Sequence, residues 1–410
     1  MEHSDKISDY YKTESPKMVS VICKYYGFPF YDSAEEIVNE TFLNATIDWK
    51  SNGVPENPIA WLYAVARNKA KNISQRESNF QFNILPKYLY GLTNTKSVPE
   101  FSEEEIVDSQ ILMIFAISHP IIPVESQIGL ALRILCGFSI EDVALAFFTN
   151  KETINKRLYR AKEILRENKI NLDYPSPGDI VFRLNSVLRT LYFIFNKGYS
   201  SNGLDLNIRK SICLESIRLC GILLENKINL HSDVYSLLSI FYFQYSRFDS
   251  RVGNEGEMVI YAEQNREIWN QNFIKKGEYF FHQASKTPTF SKYQIEANIS
   301  YLLTLSDEIE GKWQKILDLY TALLHIEPST LINLNRTYAL YKVSGSLPAI
   351  KEMEKIESGK NSHYYILLGE LYFDLDPLKA QSYFLKAISI LSNPVEINSV
   401  SERTKKLPKL

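Results

Sequence analysis

The sequence predicts an all-α protein, with two small N-terminal helical domains followed by a C-terminal helical repeat domain. Three observations predict it. Gly and Pro number 16 each, about 8% of the 410 residues, where average usage is nearer 12% and turn-rich β folds need at least that much. Hydrophobic residues make up 45%, yet no Val/Ile/Thr alternation is long enough to build a sheet. At about 150 residues per domain the length gives two or three domains. Disordered, collagen-like and disulfide-scaffold classes are excluded on the same composition.

Residues 10–80 read as several helices. Ser33 with Glu36 forms a capping box ahead of Ile37, Val38, Phe42 and Ala45. A turn at Ser51-Asn52-Gly53-Val54-Pro55 follows. Asn57 is then an N-cap, with Pro58 at the first helical position of a helix carrying Trp61, Leu62, Val65, Ala66 and Ile73. Residues 1–80 make the first domain. Residues 81–107, with Pro86, Gly91 and Pro99 and no clear period, read as a linker.

Residues 108–171 form a second helical domain. Within it, Ser139 to Phe148 is a capped short helix, Phe148-Thr149 a tight turn, and Asn150 the next N-cap. The following helix turns Ile154, Leu158, Ala161 and Leu165 inward, and small Ala144 permits the close crossing of a helix-turn-helix. Phe148 stands where such turns commonly carry Gly for positive φ. Lys151, Glu152, Asn155, Lys156, Tyr159 and Arg160 are left on the exposed face, suited to a major groove. The competing reading is a plain antiparallel helix pair.

The breaker cluster Asn171 to Gly178 opens the third domain, 172–410. Ile316, Tyr320, Leu323, Leu324 and Pro328 keep the spacing of a tetratricopeptide helix. Tyr365, Leu368, Gly369, Tyr372, Ala380, Phe384 and Ala387 match both helices of another, with Ala349, Met353 and Ile356 between. The intervals of 33 and 31 residues compare with a unit of about 34. In 179–312 helices are present but no period holds.

The total charge, 46 basic against 48 acidic residues for a net of −2, argues against a nucleic-acid partner until it is resolved by segment. Asp32 to Trp49 holds five acids and no Lys or Arg; Leu62 to Ser78 carries +3 and Lys151 to Ile170 carries +4. Such runs on their own are most often solvated helix faces. The four cysteines form no CxxC or zinc spacing, and Cys213 with Cys220 falls on one helix face as buried thiols. The polar start, Met1 to Asp9, lacks a signal-peptide core. The longest apolar run, Ile111 to Ile117, is far short of the ~20 residues that span a bilayer. A cytoplasmic protein without a membrane partner is expected.

These motifs resemble the extracytoplasmic-function sigma factors (sigma-70 family), and within them the subgroup carrying a long C-terminal extension of tetratricopeptide-like repeats. Ser33 to Phe42 is similar to the family's polymerase-binding helix. Asn57 to Leu62 and Ala66 to Ala70 resemble its promoter-melting and −10 segment. Ile114 to Pro120, Leu130 to Arg133 and Lys156 to Lys162 resemble its −35 domain. Leu191 to Tyr199 and Glu255 to Arg266 are similar to stretches of the subgroup's extension. The collinear matches cover about nine-tenths of the chain. One departure is a sparser basic cluster, where Ile73, Ser74 and Gln75 leave Arg76 alone.

The resemblance implies an all-α fold with sigma region 2, residues 1–80, and region 4, residues 108–171. It also implies binding to core RNA polymerase and promoter DNA, with the extension as regulator. Glu36, Glu40 and Phe42 are expected to contact polymerase by charge plus an apolar anchor. Arg67, Asn68, Lys71 and Arg76 are expected at −10, and Lys151, Glu152, Asn155, Lys156, Tyr159 and Arg160 at −35. Trp61 is a candidate for base stacking, although its place beside core positions favours packing. In the extension, a protein or peptide partner suits a concave repeat surface. There, Tyr235, Phe241, Tyr242, Phe243, Tyr245 and Phe248 read as core ahead of a pocket. Arg247, Arg251 and Arg266 are a candidate anion site, with surface ion pairing as the default. His231, His282, His325 and His363 are scattered, so no metal is expected. No catalytic group or cofactor is expected either, since no paired carboxylates, triad or phosphate loop emerge. The principal alternative is a one-component helix-turn-helix regulator whose repeat domain senses a ligand or peptide. A helical-repeat scaffold with a vestigial helix-turn-helix is a third reading.

Overall fold

Apolar residues at helical spacing, few breakers and strong N-caps give a chain built of helices. The computed structural model describes residues 2–84 (side chains from 7 to 73), 101–200, 205–225, 232–253, 259–287, 289–356 and 361–407. Among these, nineteen α-helices and no sheet are present. The chain divides into two compact units, residues 1–198 with 214–227 and residues 199–213 with 228–410.

The first unit begins with α1 (Glu2–Tyr26), α2 (Tyr31–Asn52) and α3 (Pro58–Ile84). Gly53, at φ +83, ends α2, and the Asn57 side chain accepts a 3.0 Å hydrogen bond from the Ala60 N–H at the start of α3. The capping box expected at Ser33 and Glu36 is absent. A short 3-10 turn, Phe28–Phe30, feeds directly into α2 at Tyr31, so both residues lie inside the helix and the N-cap is Phe30. Both ends of the expected linker, residues 81–84 and 103–107, are helical. Helix α3 extends to Ile84, and α4 (Glu103–Ile117) starts on an N-cap at Ser102 with three glutamates in its first turn, where they favour the positive end of the dipole.

Every residue from Ile111 to Ile117 is buried, so the longest apolar run is an interior helix packed on all sides. Helix α1 packs on α4 and α2. Pro16 lies inside α1 and leaves the Lys12 carbonyl without its helical donor. Gly137, at φ +68, approaches there, and a Cβ on it would lie 3.1 Å from that carbonyl oxygen. Helices α5 (Val124–Ile134), α6 (Ile140–Ala146), α7 (Lys151–Glu167) and α8 (Ile180–Ser200) complete most of the unit. The four cysteines are all buried free thiols. No described helix is long and apolar enough to cross a membrane.

Helix α9 (Leu206–Ile222) contributes its first half to the second unit. There follow α10 (Ser232–Ser246), the single turn α11 (Phe248–Arg251), α12 (Gln271–Ser285) and α13 (Lys292–Thr304). Next come α14 (Lys312–Ile326), α15 (Thr330–Ser344), α16 (Ser346–Glu354), α17 (Ser362–Tyr372), α18 (Pro377–Ile390) and α19 (Pro394–Lys405). Each helix from α13 onward packs on the next. The spaced positions read from the sequence supply this core: Ile316, Leu323, Ala349, Met353, Leu368, Ala380, Phe384 and Ala387 are buried. Gly369 lets α17 approach the Phe384 ring so closely that a Cβ would collide with it. Phe241, Phe243 and Phe248 are core, while Tyr242 stacks on Phe280 at 5.6 Å between centroids.

Candidate nucleic-acid interface

Helices α5, α6 and α7 pack on one another as a helix-turn-helix. Ser139 caps α6 by accepting from the Asp142 N–H at 3.1 Å, and the Asp142 carboxylate accepts from the Ser139 N–H at 3.2 Å. The turn closes with a 3.0 Å bond from the Thr149 N–H to the Ala144 carbonyl. Phe148 does adopt positive φ there, +51°, with its ring 67% exposed. Asn150 caps α7 by accepting from the Thr153 N–H at 2.8 Å.

The buried residues of α7 are Ile154, Leu158, Ala161 and Leu165. The close approach lies at Gly129 of α5, where a Cβ would come within 2.9 Å of the Leu158 side chain. With that stripe fixed, a period of 3.6 residues turns Lys151, Glu152, Asn155, Lys156, Tyr159 and Arg160 outward, and all six are exposed. Their charges are not equally available. Lys156 is held by Glu152 at 2.6 Å, and Lys151 pairs with Glu141 on α6. Asn155, Tyr159 and Arg160 make no hydrogen bond or ion pair among the described residues and face solvent.

The other flank of α7 is committed to α2. The Asp32 carboxylate takes a 2.8 Å hydrogen bond from Lys162 and another from Arg166, while Arg133 of α5 reaches Glu35 at 2.5 Å. Burial alone would raise the Asp32 carboxyl, but the hydrogen bonds from Lys162 and Arg166 outweigh it and hold it below the usual carboxylate range. Phe147 lies close to two cations, the Arg157 guanidinium 5.1 Å from its centroid and the Lys197 ammonium of α8 at 5.0 Å. Burial, then repulsion from Arg157, lowers the Lys197 ammonium.

On α3, Leu62, Ala66 and Ala70 are buried, leaving Arg67, Asn68 and Lys71 exposed on one face. The side chain of Arg76 lies outside the described residues. Trp61 is a half-buried core-edge ring, edge-on to Trp49 at 5.6 Å. Lys69 bonds Glu40 of α2 at 2.5 Å.

Helix α2 corrects one expected contact. Phe42 is only 5% exposed and packs edge-on against Tyr11, 5.1 Å between centroids, so it is core and not an outward anchor. The exposed face runs through Glu36, Glu40, Leu43 and Ile47, with the two apolar side chains 59% and 62% exposed. An open groove along it is lined by Asp32, Glu35, Glu36, Asn39, Glu40 and Leu43. Counting i, i+4, i+7, i+11 from Glu36 identifies Leu43 and Ile47 in the sequence. The unit thus presents an acidic face with apolar residues on α2, and cationic and amide side chains on α3 and α7. Such groups bind and position macromolecules; among the described residues no three His, Cys, Asp or Glu gather as a metal site.

Residues 183–285 match a family of unknown function, DUF6596. The chain is 28% identical over 387 residues to an uncharacterized protein of Rhizobium meliloti (strain 1021), covering 93% of this chain and 91% of that protein. It is 27% identical over 139 residues, 33% of this chain and 73% of the other, to the ECF RNA polymerase sigma-E factor of Haemophilus influenzae. No solved structure matches the chain.

Proposed function

We propose that the protein is a sigma factor that binds core RNA polymerase, directs it to promoters, and is regulated through its C-terminal helical extension. The observation that carries this reading is the outward face of α7, where Asn155, Tyr159 and Arg160 stand exposed beside Lys151, Glu152 and Lys156 on a capped helix of a helix-turn-helix. Partial similarity to an ECF sigma factor supports it.

In this reading α7 enters the −35 major groove, with Arg160 and Lys156 on guanine or phosphate and Asn155 on adenine. Arg67, Asn68 and Lys71 of α3 meet the −10 strand, with Arg76 beyond them. Glu36, Glu40, Leu43 and Ile47 of α2 dock on a basic polymerase surface, the apolar pair supplying the contact area and the carboxylates the orientation. The protein acts in the cytoplasm by binding and not by catalysis, needs no cofactor, and offers its repeat helices to a protein or peptide partner.

Copurification with core polymerase tests the reading. The full chain is expected to bind core, and promoter DNA is expected to be bound specifically only by the resulting holoenzyme. Tight, specific DNA binding by the chain alone, without core binding, favours a one-component regulator instead.

A further inference from the structure

The second unit gathers positive charge around one tyrosine. The Arg251 guanidinium lies 4.2 Å from the Tyr199 ring centroid. Arg209 donates a 2.9 Å hydrogen bond to the Tyr199 carbonyl, and its guanidinium lies 5.3 Å from the Phe248 ring. That ring is in turn 6.2 Å from Tyr199. Arg247, only 7% exposed, lies 5.6 Å from the rings of both Tyr261 and Trp269. Single-turn helix α11 thus carries Arg247 at its entry and Arg251 at its end, with Arg209 on α9 sharing the Tyr199–Phe248 wall.

Among the described residues neither Arg247 nor Arg251 has a carboxylate acceptor, and the Nε atom of each is buried without a hydrogen-bond partner. Neighbouring cations differ. Arg266 is satisfied by Asp307 at 3.0 Å and by the Leu305 carbonyl at 2.7 Å, and Lys312 by Asp307 at 2.6 Å. Lys210 pairs with Asp249 at 2.7 Å. Burial would raise the Tyr199 phenol, yet the charges of Arg251 and Arg247 and a hydrogen bond with Arg251 bring it below its ordinary value. A buried guanidinium without a counter-charge is costly; Arg247 is the buried one, and Arg251 is half-buried.

We propose that Arg247 and Arg251, with Arg209, form a receptor for an oxyanion, phosphate or carboxylate, carried by a small ligand. Planar guanidinium forks match the two or three oxygens of such groups, and the aromatic rings hold the forks in place. The site lies within the residues that match DUF6596, and its test is independent of any role in transcription.

Full-length protein is melted in inorganic phosphate, in citrate and in potassium chloride at matched ionic strength. Phosphate or citrate is expected to raise the melting temperature by at least ~2 °C over chloride, and the larger shift identifies a phosphoryl or a carboxylate ligand. Arg251→Gln is expected to lose the shift. Arg247→Lys, which keeps the charge but not the fork, is expected to weaken calorimetrically measured binding by ~10-fold, and it serves if Arg251→Gln does not fold. Equal melting in all three salts overturns the proposal. Retention of the full shift in both variants also overturns it, leaving an adventitious ion only.

Discussion

Asp32 accepts a 2.8 Å hydrogen bond from Lys162, 130 residues further along the chain. With Arg166 on the other carboxylate oxygen, it ties the first turn of α2 to the C-terminal half of α7. The residues expected to read DNA lie on the other flank of α7. The helix therefore divides its charge, part of it paired with α2 and part of it exposed to solvent.

Asp32→Asn is expected to lower stability at pH 7 by ~0.5–1 kcal/mol, the scale of a half-exposed ion pair. Because the carboxyl is held below its unfolded value, its contribution is fully present above that value, about 3.9, and is lost as pH falls through the lower folded value. Urea titrations at pH 7 and near pH 3 check this. The difference between wild type and variant should shrink at the acid end, and a difference that grows there contradicts the pairing.

Leu43→Ser with Ile47→Ser is expected to leave the melting temperature nearly unchanged and to weaken core-polymerase binding at least tenfold. Phe42→Ala is expected to cost ~3–5 kcal/mol of stability, as for a buried aromatic. Circular dichroism melts with a core-binding titration separate the two outcomes.

Helix faces were legible because a period of 3.6 residues orders side chains whatever lies nearby. Ile154, Leu158, Ala161 and Leu165 turn inward as the spacing requires. Phe42 shows the limit: one position, about 100° of rotation, separates it from Leu43, and both are apolar. Hydrophobicity could not choose between them; Tyr11 of α1 did. The box at Ser33 and Glu36 failed because Phe28–Phe30 starts the helix earlier. The Gly137 contact with α1 and the burial of Arg247 depend on residues distant in sequence, which no local pattern encodes.

Gly129→Ala is expected to destabilise the helix-turn-helix by ~1 kcal/mol, since its methyl group would lie 2.9 Å from the Leu158 side chain and that buried side chain would have to shift within the packed core. The check is the shift of the urea midpoint at constant slope.

Arg160→Ala is expected to weaken holoenzyme binding across promoter sequences and to reduce the salt slope by about 0.9, if its contact is a phosphate. Asn155→Ala is expected to cost ~1–3 kcal/mol at one base position and to relax selectivity there. Fluorescence anisotropy over a salt series, on promoters substituted base by base, distinguishes them.

The most direct test is run-off transcription with core polymerase, the purified full-length chain and a promoter selected by the resulting holoenzyme. The account predicts a transcript that requires both the chain and the promoter and that falls at least tenfold with Asn155→Ala and Arg160→Ala combined. Core that neither binds the chain nor initiates from any selected promoter would contradict it.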